Sequence, residues 1–307
     1  MRIMKTFKES FRKKPLRNAS AKAQSAMEYL MTYGWAILII SVVLAALFQL
    51  GVFNPMTFAP KAPPGACQVF RPNGPYTTSF INLEGICSGE LPQYVAQFNG
   101  NGGIQINNIN MPSGSQPRTI TVWYYATQTS SQTNVFSYGT ANCGPPRELF
   151  ELYISDGGEE QPVMNAWCTD QWIGISVNSG WVFAAYEYNG SYQIGYEGVG
   201  GTLYGPATSQ QSYGTTPNSP FYIGNGPGRP PFIGYIANVQ VYNTSLSASD
   251  IRALYLEGIG GAPIDLQNLV GWWPLNGNAN DYSGNGYNGQ INGVTFVSNW
   301  WSGYTPP

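Results

Sequence analysis

The sequence contains no histidine, and only 10% of its 307 residues are charged. Without histidine, a serine or cysteine nucleophile lacks its usual base, and a zinc site lacks its commonest nitrogen ligand. The cysteines, Cys67, Cys87, Cys143 and Cys168, include no C-x-x-C pair, which removes the usual zinc-ribbon and thioredoxin-type motifs. Cationic side chains are scarce where they would matter for nucleic acid. After residue 54 there are six basic residues against fourteen acidic ones, a net of about −8, the wrong sign for a phosphate backbone. Glu, Lys and Leu are few, while Gly, Asn, Ser, Thr and Tyr abound and aromatics reach 14%. Such a composition favours strands joined by Gly/Asn turns over helices.

Against this background the N-terminus stands apart. Residues 1–23 hold eight basic side chains and one acid, Glu9, and read as a basic leader. Tyr29 to Pro60 carries no charge, and its apolar core, Leu30 to Phe53, is 24 residues long. As a helix this core would span roughly 36 Å, enough for a hydrocarbon layer of about 30 Å. The basic flank predicts a cytoplasmic N-terminus and an extracellular body in the cell membrane or at the cell surface. All four cysteines fall on the exported side, so two disulfides are expected. Four cysteines permit three pairings; Cys67–Cys87 with Cys143–Cys168 is the expected one, and buried free thiols are the alternative.

The stretch Lys22-Ala23-Gln24-Ser25-Ala26-Met27-Glu28-Tyr29-Leu30 places a carboxylate at the edge of the apolar run, where it is costly unless paired. Together with Tyr-Leu-Met-Thr-Tyr-Gly-Trp-Ala-Ile, this stretch resembles the class III signal peptide of archaeal type IV pilin-like proteins. The resemblance implies a prepilin-type peptidase cutting between Ala23 and Gln24. It also implies that Glu28 faces the new amine of a like subunit in a filament. A plain signal anchor, with Glu28 among the headgroups, is the alternative. The large body departs from the small heads usual in such subunits.

Residues 54–66 are Pro-rich and read as a stiff spacer after the apolar helix at 24–53. Beyond it, short strand signals recur, among them Tyr94–Phe98, Ile104–Ile106, Thr119–Ala126, Glu148–Ser155, Trp181–Tyr188, Phe232–Tyr242 and Val294–Val297. They are separated by turn signals such as Asn99-Gly100-Asn101-Gly102-Gly103. The spacing predicts a mainly-β chain: an antiparallel β-sandwich or jelly roll over 67–298, with 299–307 as a C-terminal tail. One short helix is expected over 246–258, with Ser247 as its cap, Asp250 completing a capping box and Gly258 as its stop.

Phe232-Ile233-Gly234-Tyr235-Ile236-Ala237-Asn238-Val239-Gln240-Val241-Tyr242-Asn243 followed by that helix resembles the closing segment of laminin G-like, concanavalin A-like jelly rolls. Tyr94–Gly100 and Thr119–Tyr125 resemble earlier strands of the same family. Leu269-Val270-Gly271-Trp272-Trp273-Pro274 through Asn280-Asp281-Tyr282-Ser283-Gly284-Asn285-Gly286 resembles the family's opening segment yet comes last. A circular permutation accounts for that order better than the stump of a second domain.

Relatives of this kind include glycosidases, which need two carboxylates flanking the sugar bond. Glu148-Leu149-Phe150-Glu151 puts its acids on opposite strand faces, so an enzyme is not expected. Binding is the better reading: Trp123, Trp172, Trp181 and Tyr186, with Tyr124, Trp167 and Tyr188 nearby in sequence, are candidates for stacking on a glycan or a partner surface. Core packing is the bland alternative for each. Asp281 resembles a calcium-loop residue of some relatives, with an Asx turn as the alternative. Asn189 and Asn243 open N-x-S/T sequons. The expected protein is an extracellular adhesion or carbohydrate-binding protein, with a signal-anchored glycosidase and a purely structural envelope subunit as rivals.

Overall fold

The computed structural model describes residues 17–49, 61–62, 69–70, 81–82, 91–128, 132–155, 162–172 and 180–307. Two compact units divide the chain, residues 1–58 and 59–307. In the first, α1 (Arg17–Gln49) is a single helix of 33 residues. It starts earlier than the apolar pattern and runs unbroken through Ala23, Gln24 and Glu28, whose side chains lie outside the described residues. Ala19, Ala21, Ala23 and Ala26 supply strong helix propensity there. Farther along, Trp35 (66% exposed), Ile37 (61%), Leu38 (53%) and Ile40 (57%) point in different directions around the axis. This stretch is apolar on every side. Among the described residues, no helix is long and apolar enough to cross a membrane. The expected span of 30–53 extends beyond them.

In the second unit, β1 (Lys61–Ala62) pairs in parallel with β4 (Leu91–Pro92), and β2 (Val69–Phe70) pairs antiparallel with β3 (Ile81–Asn82). Cys67 and Cys87 lie outside the described residues. Thirteen further strands are hydrogen-bonded into one antiparallel system that folds over as a sandwich. They are β5 (Val95–Ile106), β6 (Arg118–Ala126), β7 (Thr133–Gly139), β8 (Leu149–Ile154), β9 (Pro162–Asn165), β10 (Asp170–Trp172), β11 (Val182–Tyr188), β12 (Tyr192–Val199), β13 (Thr202–Gln210), β14 (Phe221–Ile223), β15 (Ile233–Tyr242), β16 (Leu269–Trp273) and β17 (Gln290–Val297). Their order is β10-β9-β8-β7-β14-β5-β15-β6-β11-β12-β13, with β16 beside β15 and β17 along β5.

Strand β5 joins the two layers. Its first half, Ala96–Asn99, pairs with β15, and its second, Ile104–Ile106, pairs with β14. The Gly/Asn stretch expected to be a turn is the bend inside this strand. Gly100 adopts φ 81°, which suits glycine, and a Cβ on Gly102 would collide with the Asn292 carbonyl of β17. β16 and β17 pair with β15 and β5, so the C-terminal segment is part of this sandwich and not a stump. The expected tail is also built in: Trp300 is 2% exposed, and its ring meets Trp181 at 5.7 Å.

Alternation along the strands sends one set of side chains inward. Ile120, Val122 and Tyr124 of β6 face Phe150, Leu152 and Ile154 of β8 and Val182, Ala184 and Tyr186 of β11 in one core. Outward residues of β6 and β11 lie under α2 (Ala248–Glu257). Its capping box forms as expected: the Asp250 amide donates to Ser247 Oγ at 3.2 Å and the Ser247 amide donates to Asp250 Oδ2 at 3.1 Å.

Candidate binding site

The outward faces of β7 to β10 carry a different chemistry. Register aligns Ser137, Glu151, Asn165 and Asp170 across the four strands. Phe150 and Leu152 point into the core, so Glu151 and Tyr153 point out. Glu151 is nevertheless fully buried, because the loop 224–231 between β14 and β15 folds over it. Arg229 from that loop donates from Nε to Glu151 Oε1 at 2.8 Å, and Asn134 Nδ2 donates to Oε2 at 3.2 Å. Asn165 Nδ2 donates to Oε1, and Arg229 also donates to Gln132. Burial pushes the Glu151 carboxyl up, while the Arg229 charge and its hydrogen bonds pull it back.

The guanidinium carbon lies 3.4 Å from the Tyr153 ring centroid and 5.5 Å from that of Trp167. Stacking of this kind is a favourable use of arginine over lysine. Burial raises the Tyr153 phenol, and the neighbouring Asp170 charge adds to the rise. Trp167 leans against Gly228, where any Cβ would strike the indole. The strand end presenting it is strained: Trp167 and Cys168 both have positive φ, 53° and 67°. Cys168 is disulfide-bonded to Cys143 with Cα atoms 5.5 Å apart, which fixes that turn covalently. One expected pairing therefore forms. Asn134 Oδ1 and Asn165 Oδ1, both buried, accept no hydrogen bond from any described residue.

The patch thus joins a half-buried indole, a guanidinium already neutralised by a carboxylate, and two amides oriented by that carboxylate. Trp167 is its open edge, and Asn134, Glu151 and Asn165 lie enclosed beneath it. Glu151, buried and ion-paired, offers no open carboxylate to a glycosidic bond.

The aromatic residues singled out in the sequence fall elsewhere. Trp123 is 2% exposed, packed among Phe183, Tyr255 and Tyr304, because α2 and the C-terminus cover that face. Trp181, at 3%, meets Trp300 and donates from Nε1 to its carbonyl at 3.1 Å. Tyr186 points into the core, stacked on Phe150 at 3.9 Å with its hydroxyl bonded to Tyr213. These three form no stacking platform. Trp172 lies on β10, and its side chain is outside the described residues.

Asp281 organises its own loop. Its carboxylate accepts from the Trp272 amide (3.0 Å), the Ser283 amide (2.8 Å), Ser283 Oγ (2.9 Å) and the Tyr287 amide (2.9 Å). A calcium ion needs oxygen lone pairs around it, and here the carboxylate faces hydrogen donors. The residues do not fit the ion. Arg229 escaped the sequence reading, although a lone cation in the Gly-Pro-Gly-Arg-Pro-Pro run of an acidic body was the available signal.

No curated protein matches the chain. Among solved structures, a proposed carbohydrate-binding protein from Bacteroides ovatus is similar at 14% identity and a TM-score of 0.48, over 68% of this chain and 61% of that one. A heptameric SAP-like pentraxin from Limulus polyphemus is similar at 15% identity and 0.43, over 56% and 85%. Domains LG4-5 of the mouse laminin alpha1 chain follow at 15% and 0.38, over 55% and 47%. The chain spans less than two thirds of the first and third of these. Residues 98–252, half of the chain, match the family model of the concanavalin A-like lectin/glucanases superfamily, running from β5 through β15 into α2, and the chain belongs to that superfamily.

Proposed function

We propose that this chain is a surface-displayed binding protein whose sandwich recognises a glycan or a partner surface through Trp167, Arg229 and their neighbours. The observation that carries the reading is the Trp167–Arg229–Glu151 patch, where a half-buried indole lies beside a guanidinium held in place by a buried carboxylate. In this reading α1 holds the chain in the cell membrane or in a pilin-like filament, after a prepilin-type peptidase cuts between Ala23 and Gln24. Its support is the basic leader, the uncharged run from Tyr29, and a helix apolar on every side around Trp35–Ile40. The disulfide Cys143–Cys168 suits an oxidising compartment. The late position of the Leu269–Gly286 segment is taken as a circular permutation, in keeping with β16 lying beside β15.

A glycan array probed with the detergent-solubilised full chain tests the binding. Retention on one family of sugars by the wild type and its loss in Trp167→Ala are expected; a folded wild type silent on every glycan and on whole cell surfaces would sink the reading. Mass spectrometry of the mature N-terminus tests the anchoring, with Gln24 expected first and an intact Met1 overturning the processing step.

A further inference from the structure

Two sequons lie on the body, and their surroundings differ. Asn189, between β11 and β12, uses its side-chain oxygen to close the turn, accepting from the Ser191 amide (3.0 Å) and the Tyr192 amide (2.8 Å). Asn243, at the end of β15, is held by its backbone, which donates to the Asn268 carbonyl at 2.9 Å, and its side chain is exposed. That side chain lines an open cleft of about 260 Å³ with Asn110, Met111, Pro112, Gln116 and Pro117. The cleft wall is rigid. Buried Arg118 donates to the carbonyls of Pro112 (3.1 Å), Gly114 (2.6 Å) and Gln116 (2.9 Å), fixing the loop from below.

We propose that Asn243 is a glycosylation site and that its first sugar rests in this cleft. The inference rests on the extracellular display proposed above. The exposed ring of Pro117, with the small open parts of the largely buried Met111 and Pro112, matches the C–H face of a pyranose, and the exposed amides of Asn110 and Gln116 match its hydroxyls. The donor class is an oligosaccharide linked through phosphate to a lipid. Asn243 Nδ2 bonds to the anomeric carbon and loses one proton. The carbon–oxygen bond to phosphate breaks, and the lipid phosphate leaves with the electron pair. Ser245, the hydroxyl residue of the sequon, is engaged in the folded protein, donating to Glu187 Oε2 at 2.8 Å. The transfer therefore precedes the docking of this loop, while the sequon is still extended.

The test uses the full chain isolated from its native membranes and digested after glutamate. Cleavage at Glu187, Glu197 and Glu257 puts Asn189 and Asn243 on separate peptides, 188–197 and 198–257. Peptide 198–257 is expected to be heavier by whole sugar residues located on Asn243, and Asn243→Gln removes the increment. An unmodified 198–257 from protein whose Cys143 and Cys168 are disulfide-bonded at the cell surface overturns the inference and leaves the display reading standing. Reduced, cytosolic protein overturns both. Oxidative footprinting tests the cleft: Met111 is expected to oxidise several-fold faster in Asn243→Gln. Equal oxidation with the sugar in place overturns the docking.

Discussion

Glu151 and Glu187 are both buried carboxylates on outward strand faces, one on each layer of the sandwich, and they are handled differently. Glu151 has a guanidinium and two amide donors. Among the described residues Glu187 has the Ser245 hydroxyl alone, no cation against it, and one oxygen without a partner. Burial raises the Glu187 carboxyl to about 7, and Asp250 adds to the rise. The layer under α2 and the C-terminus is closed packing that tolerates a neutral acid. The other layer invests in a charged, oriented network beneath a half-buried indole. Polar organisation of that kind carries a desolvation cost and fixes one arrangement of the side chains that share it.

The sharpest break of this contrast is Arg229→Ala. Glu151 would be left as an uncompensated buried charge, with an expected loss of about 3–5 kcal/mol in urea unfolding. Adding Glu151→Gln should recover most of it. A single mutant as stable as wild type would show that the pair does not bear on the fold. Reducing the contrast from another side, removal of the Cys143–Cys168 bridge, which closes a separation of 25 residues, should cost about 3 kcal/mol. It should also free Trp167, read as a rise in its fluorescence quenching by acrylamide.

Glu187 sharpens the comparison through pH. Its folded value of about 7 lies above the ordinary carboxylate value of 4.5, so its protonated form favours folding. That contribution is complete below about pH 4.5 and is lost as pH rises to about 7, at most about 3 kcal/mol. Glu187→Gln should match wild type at pH 4 and exceed it progressively by pH 8 in the same unfolding assay. Parallel curves for the two proteins would remove Glu187 from the account.

Much of this arrangement was legible in the sequence, and the exceptions have physical causes. β6, expected over Thr119–Ala126, and the capped helix follow from local alternation and capping chemistry, which are short-range. β5 was read as two strands because Gly100 and Gly102 signal a turn, whereas they let one strand bend between layers beside β17. β13 was missed because Gly205-Pro206 interrupts its pattern; it ends the strand order, where proline removes no ladder bond from a second neighbour. The site was least legible. Which of Trp123, Trp167 and Trp181 is covered depends on α2 and on Trp300 and Tyr304, far away in the chain. Arg229 joins Glu151 from 78 residues away, a distance no local pattern encodes.

That dependence on remote cover yields the smallest and most specific test. Trp123 and Trp167 are the same residue type on opposite layers, one enclosed by three rings and one half-buried beside a guanidinium. Trp167→Ala should weaken sugar binding by roughly tenfold, about 1.4 kcal/mol, and leave the unfolding midpoint nearly unchanged. Trp123→Ala should do the reverse, because it empties a packed volume and touches no exposed surface. Calorimetric titration and thermal unfolding of both variants separate the two roles. If Trp123→Ala lost the sugar while remaining folded, the covered layer would be the binding face and the patch around Arg229 a structural clamp.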